Sequence, residues 1–137
     1  MPDLSGLERT ALCFDDPLRT FSESVLSAGG RVVSALPEPV ADQFCVEGEF
    51  GVAENGAVWI ERIPDGASRR DLFIHDRLVV VLDKTQIVNN MHEAYGRLGE
   101  SAVGYGIFMS GPSKTADIEQ ALVFGAHGPK ELVIVLE

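Results

Sequence analysis

Three consecutive β-branched residues, Val79-Val80-Val81, flanked by Leu78 and Leu82, constrain this chain more than any other feature. A strand with one face in water alternates apolar and polar side chains. A run without alternation must bury both faces, as strands do in a parallel sheet covered above and below. The terminal run Leu132-Val133-Ile134-Val135-Leu136 has the same character. Both fall well short of the roughly 20 apolar residues that cross a bilayer.

The elements around these runs mostly alternate between helix and strand. Asp16 caps a helix with Pro17 in its first turn, and Leu18, Phe21, Val25 and Leu26 form its apolar stripe before Gly29-Gly30 ends it. Arg31 to Leu36 reads as a strand and Ala41 to Gly48 is ambiguous. Phe50–Ala53 and Ala57–Glu61 form a hairpin about Glu54-Asn55-Gly56, because Asn-Gly tolerates the positive φ of a tight turn. Ile63 to Arg70, with Pro64, Asp65 and Gly66, is a surface loop, and Leu72 to His75 is a further apolar run. Asn90 and Glu93 suit a capping-box-like helix start, with Met91, Tyr95 and Leu98 on one face. A strand over Gly104–Met109 and a short helix over Asp117–Val123 precede the terminal run. This order predicts an α/β fold: a Rossmann-like, three-layer α/β/α arrangement with a mainly parallel sheet and an inserted hairpin.

The length of 137 residues and a 45% hydrophobic content fit a single domain, 1–137, with a real core. Net charge is −10, from 21 acidic against 11 basic side chains, which argues against nucleic acid and anionic membranes as partners. Cys13 and Cys45 make no C-x-x-C pair, so zinc or iron–sulfur ligation has no support here, and free thiols are expected. The first ten residues lack an apolar signal segment, and the cytoplasm is the expected location. No G-x-G-x-x-G follows a strand, so no nicotinamide cofactor is indicated, and the sequence does not identify any other.

Three segments carry the candidate chemistry. Ser110-Gly111-Pro112-Ser113-Lys114-Thr115 joins a strand to a helix, the position where α/β sheets bind ligands. Gly111 permits close approach, Ser113 and Thr115 bring hydroxyls, and Lys114 with the following helix N-terminus suits a small anionic substrate. Gly106 and Gly111 have P-loop spacing, but Pro112-Ser113 replaces the Lys-Ser/Thr pair, which argues against a nucleoside-triphosphate site. The second segment is Gly125-Ala126-His127-Gly128-Pro129, where His127 can exchange a proton near neutral pH. The third is the Glu54-Asn55-Gly56 turn, whose carboxylate can serve as base or nucleophile. Each segment also has a structural reading: a helix cap at Ser113 or Thr115, a turn histidine, and a solvated hairpin acid.

Taken in order, Ala53-Glu54-Asn55-Gly56-Ala57-Val58, Leu78–Val88, Gly111–Glu119 and Gly125–Pro129 resemble the LUD domain family, and within it the LutC-like proteins of lactate utilisation. The resemblance covers about residues 30–137. It implies a fold of the NagB/RpiA/CoA-transferase-like kind, and a pocket built from Glu54, Ser113, Thr115, Asp117 and His127. Glu54, Asp117 and His127 are then the candidate catalytic groups, and Asn55, Gly56, Gly111, Ser113, Lys114 and Thr115 the candidate substrate-binding residues. It also implies iron–sulfur partner proteins, since LutC-like proteins act with such partners in oxidising L-lactate and have no cluster cysteines of their own. LUD members carry a Gly-Thr pair where this chain has Gly56-Ala57, and typical LutC-like proteins are longer at the N-terminus.

The expected function is that of an accessory or substrate-binding component in oxidation of L-lactate or a related 2-hydroxy acid. One alternative is a small acyl- or CoA-transfer enzyme using Glu54, because Glu54-Asn55-Gly56 is similar to the Ser-Glu-Asn-Gly element of class I CoA transferases, with Ala53 in place of the serine. The other is a non-catalytic interaction domain. Free sheet edges on a small acidic domain also leave a homo-oligomer open. The sequence does not decide whether the chain is an enzyme by itself.

Overall fold

The computed structural model describes residues 13–99, 106–111 and 129–137. Within them the chain order is α1 (Pro17–Ser27), β1 (Arg31–Val33), β2 (Gln43–Glu47), β3 (Phe50–Val52), β4 (Val58–Ile60), α2 (Asp71–Ile74), β5 (Arg77–Leu82), β6 (Ile87–Val88), α3 (Met91–Gly99), β7 (Ile107–Met109) and β8 (Glu131–Leu136). The fold is α/β.

The two unbroken apolar runs lie side by side. β5 and β8 pair in parallel from Arg77↔Glu131 to Leu82↔Leu136. β2 joins β5 and β1 joins β8, also in parallel, giving the order β1-β8-β5-β2. The expected hairpin forms as β3 and β4, and it belongs to a second sheet of order β6-β3-β4-β7. Here β6 runs parallel to β3, while β4 is antiparallel to both β3 and β7. Thus β3, β6 and β7 point the same way, and their carboxyl ends share one rim.

The main core lies between these sheets. Val46, Leu78, Val80, Leu82, Leu132 and Ile134 from the parallel sheet meet Ala53, Val58, Ile60 and Met109 from the mixed sheet, with Phe21 and Val25 of α1. Val79, Val133 and Val135 form a separate buried cluster, 0–2% exposed, on alternate positions of β5 and β8. Burial of both sets satisfies the reading of these runs as covered on both faces. A further cluster joins Phe50, Val52, Trp59, Val88 and Phe108 to Ala94 of α3.

Local signals explain the helix ends. Asp16 Oδ1 accepts the Arg19 N–H at 3.2 Å, Pro17 occupies the first turn, and Gly29 leaves α1 with φ +98°. The buried stripe of α1 is narrower than expected, because Leu26 is 58% exposed. In α3, Ala94 is the fully buried contact and Tyr95 turns outward, so the inward face is Met91, Ala94 and Leu98. The Leu72–His75 run supplies most of α2, a single turn that buries only Leu72. Both cysteines are free and exposed. No described helix is long and apolar enough to cross a membrane.

Candidate functional site

The carboxyl ends of β3, β6 and β7 converge through specific bonds rather than mere proximity. β3 runs into the turn at Glu54-Asn55-Gly56, where Val52 N–H donates to Ala57 O at 2.8 Å and Gly56 N–H to Val52 O at 2.9 Å. Asn55 Oδ1 accepts the Ala57 N–H at 2.9 Å, a side-chain turn bond of the kind asparagine favours. Gly56 has φ +73°, and a Cβ there would lie 2.7 Å from Val25 N and 2.8 Å from Ser24 C. Glycine is therefore required twice over, by backbone conformation and by the close approach of α1.

From this turn Glu54 reaches the start of α3. Its Oε2 accepts the Met91 N–H at 2.9 Å, while its own N–H donates to Asn89 O at 3.0 Å. The helix start is also held from within. Asn90 Oδ1 accepts the Glu93 N–H at 2.9 Å, and Glu93 Oε1 reaches back to the Asn89 N–H at 2.7 Å. The expected capping by Asn90 and Glu93 is present, and the carboxylate of Glu54 adds a negative charge at the positive end of the helix dipole. Asn89 Oδ1 in turn accepts the Phe14 N–H at 3.0 Å, which brings the chain before α1 to the same rim.

The third strand end arrives from β7. Ser110 Oγ donates to Asn55 O at 3.1 Å, tying the two candidate loops together. Gly111 has φ +82°, and a Cβ on it would fall 2.4 Å from Ala28 O at the end of α1. Helix α1 completes the assembly from the side, with Ser24 Oγ donating to Ala53 O at 2.7 Å. A surface cavity of about 480 Å³ opens between α1 and the turn, lined by Thr20, Glu23, Ser24, Ser27, Ala28, Glu54 and Asn55. Its described lining has hydroxyls, an amide and two carboxylates, and no cation.

The structure thus brings together Glu54, Asn55, Gly56 and Gly111, four of the nine residues singled out from the sequence. The other five, Ser113, Lys114, Thr115, Asp117 and His127, lie outside the described residues. Sequence reasoning missed the tie from Ser24, the positioning part of Asn89, and the partnership of Glu54 with α3. Ser24 and Asn89 are short polar residues at an element's edge, with nothing local to name partners 29 and 75 residues away. Among the described residues, no group of three or more His, Cys, Asp or Glu side chains is arranged to hold a metal ion.

The family model of the LUD domain matches residues 40–136, a span that includes the Glu54-Asn55-Gly56 turn, the capped start of α3 and Gly111. The chain belongs to the LUD domain family. It is 35% identical over 94 residues to Lactate utilization protein C of Bacillus pumilus, an alignment covering 64% of this chain and 39% of that protein. A protein of Neisseria meningitidis, NMB1437, is 34% identical over 92 residues, again 64% of this chain and 38% of the relative. Lactate utilization protein C of Shouchella clausii is 32% identical over 104 residues, covering 72% of this chain and 45% of the relative. The chain thus spans about two fifths of the length of these relatives. A DUF162 family protein from Deinococcus radiodurans has the same fold, with a TM-score of 0.59 over 98% of this chain and 99% of that one at 17% identity.

Proposed function

We propose that this chain acts in lactate utilisation, as the accessory or substrate-binding component of an oxidation of L-lactate or a related 2-hydroxy acid carried out with iron–sulfur partner proteins. The observation that supports it most is the overlap of family match and site. Residues 40–136 include β3 with its turn, β6 with the start of α3, and β7 with Gly111, and relatives named for lactate utilisation align over much of the chain.

In this reading the carboxylate of the acid lies on the Gly111 side, where Ser113, Lys114 and Thr115 supply hydroxyls and a cation. It avoids the α1 groove, whose described lining includes Glu23 and Glu54. Glu54, Asp117 and His127 are then the catalytic candidates for the 2-hydroxyl group, and Asn55 and Gly56 keep the turn in place. The two electrons leave through the partner's clusters, because this chain's two cysteines cannot hold one.

A reconstitution tests the proposal. The purified chain is incubated with L-lactate and an artificial electron acceptor, alone and with the iron–sulfur proteins of its own organism. Pyruvate is expected only in the complete mixture, and Lys114→Ala is expected to raise the lactate concentration needed for half-maximal rate. Pyruvate formation by the chain alone, or full activity of the partners without it, overturns the reading.

A further inference from the structure

A second group of titratable side chains lies at the opposite, amino end of the parallel strands, away from the strand-end site. His75, just after α2, places Nδ1 2.6 Å from Asp42 Oδ1 and Nε2 3.0 Å from Asp71 Oδ1. The two carboxylates are themselves fixed: Asp42 Oδ2 accepts the Asp76 N–H at 3.0 Å, and Asp71 Oδ2 accepts the Ser68 N–H at 2.8 Å. The ring stacks on Phe44 of β2, centroids 5.5 Å apart and planes 13° apart.

This geometry specifies a protonation state. A neutral imidazole carries one N–H and one lone pair, whereas an ionised carboxylate only accepts. With a carboxylate oxygen facing each ring nitrogen, a neutral ring sets a lone pair against an oxygen on one side. Only the imidazolium donates to both.

The residues it joins belong to different parts of the chain. Asp71 opens α2, while Asp42 lies just before β2. Between β4 and β5, residues 61–76 pass β2 at both of its ends. Near the start, Arg62 Nη2 pairs with Glu49 at 2.9 Å, and Ile63 and Pro64 border a cavity of about 330 Å³ with Cys45, Val46 and Glu47. In the middle, Leu72 is 1% exposed in the main core. At the far end stands the His75 bracket.

We propose that residues 61–76 form a proton-dependent strap beside β2, clipped by the His75 imidazolium between Asp42 and Asp71 and loosened when that ring loses a proton. The charged groups facing the clip agree with this. Lys130 lies 3.8 Å from Asp76 and acts weakly on Asp42, and Arg70 acts on Asp71. Arg77 is engaged by Glu131, Gln43 and the Glu38 carbonyl. The carboxylates of Asp42 and then Asp71 raise the His75 pKa above its ordinary value. The closed strap therefore holds its proton more tightly than the open one. It is fully favoured below the ordinary histidine value of about 6.5, and its advantage is lost as pH rises through the raised value. Over that interval the open population grows by at most about tenfold per pH unit, one proton being linked.

The test follows the ring and the strap in the same full-length protein. His75 is one of three histidines, and its ring resonance is assigned by its absence in His75→Gln. Its titration midpoint is expected above 6.5, moving down in Asp42→Asn and in Asp71→Asn. Hydrogen exchange of residues 63–76, corrected for the intrinsic effect of pH, is expected to accelerate across the same interval, while exchange in β5 does not. His75→Gln is expected to exchange at the open rate at every pH. The wild-type comparison stands even if a variant fails to fold. A midpoint at or below 6.5, or exchange of 63–76 that ignores pH between 6 and 9, overturns the proposal.

Discussion

Gly56 and Glu54 are two residues apart, and their replacement is expected to fail for different reasons. Gly56→Ala must hold a side chain at φ +73°, with its Cβ 2.7 Å from a backbone nitrogen of α1 that cannot rotate aside. The left-handed conformation alone costs about 1–2 kcal/mol, and the overlap adds to it. A loss of at least about 2 kcal/mol in urea unfolding is expected. Glu54→Ala removes both an acceptor and a charge from the first turn of α3, and a loss of about 1–2 kcal/mol is expected. Glu54→Gln keeps an acceptor for the Met91 N–H and loses only the charge, for about 0.3–1 kcal/mol. If Glu54→Ala unfolds at the same urea concentration as the parent, the carboxylate does not hold the helix, and the turn is left to shape the site through Asn55 and Gly56 alone.

At the scale of elements, α3 depends on the bonds at its start, because among its described side chains only Ala94 is fully buried. Asn90→Ala removes the acceptor for the Glu93 N–H and is expected to cost about 1 kcal/mol, with faster exchange confined to the first turn of α3. Equal acceleration throughout β3 and β7 would mean that the helix start and the strand ends open together. This cap is also where the sequence was most legible. Asn90 and Glu93, like Asp16 and Pro17 of α1, act within four residues of their partners, so their chemistry is visible in a short window. The hairpin and the two doubly buried strands were legible for the same reason, since turn residues and periodicity are local. Tyr95 and Leu26 were misplaced because a helical stripe gives a face but not its width. The bond from Glu54 to Met91 spans 37 residues, and Asp42 meets His75 across 33. No local pattern announces such pairs. The recruitment of β6 and β7 to the hairpin likewise depends on chain reversal far from either strand. The fold class and the hairpin turn could therefore be read in advance, whereas the contacts that tie the turn to α1, α3 and β7 could not.

For the molecule as a whole, charge sets how stability changes with pH, and the two directions have separate origins. With 21 acidic and 11 basic side chains, protonating exposed carboxylates relieves self-repulsion, so mild acidification alone is expected to leave the chain folded. Among the described residues, four carboxylates behave differently. Asp42 is held low mainly by His75, Asp71 by the Ser68 N–H and then His75, Asp83 by the Thr85 N–H and hydroxyl, and Glu131 by the Arg77 guanidinium. Each lowered value contributes stability that is present above the ordinary carboxylate range and lost as pH falls through the lowered one. Stability is thus expected to hold through mild acid and then fall below about pH 4, where the folded chain resists protons that the unfolded chain accepts. On the alkaline side the raised His75 acts in reverse, with one proton released as the pH climbs above about 6.5. The two limbs separate by substitution. Asp83→Asn is expected to flatten the acid limb by up to one proton and leave the alkaline limb unchanged, because the Asp83 carboxylate accepts the Thr85 N–H and hydroxyl within its own turn. His75→Gln is expected to abolish the alkaline limb and also to weaken the acid limb, because Asp42 and Asp71 lose the cation that lowers them. Urea midpoints measured from pH 3 to 9 on the parent and both variants decide the matter. An alkaline limb that survives in His75→Gln would assign it to another group, and would detach the strap from the pH response of the fold.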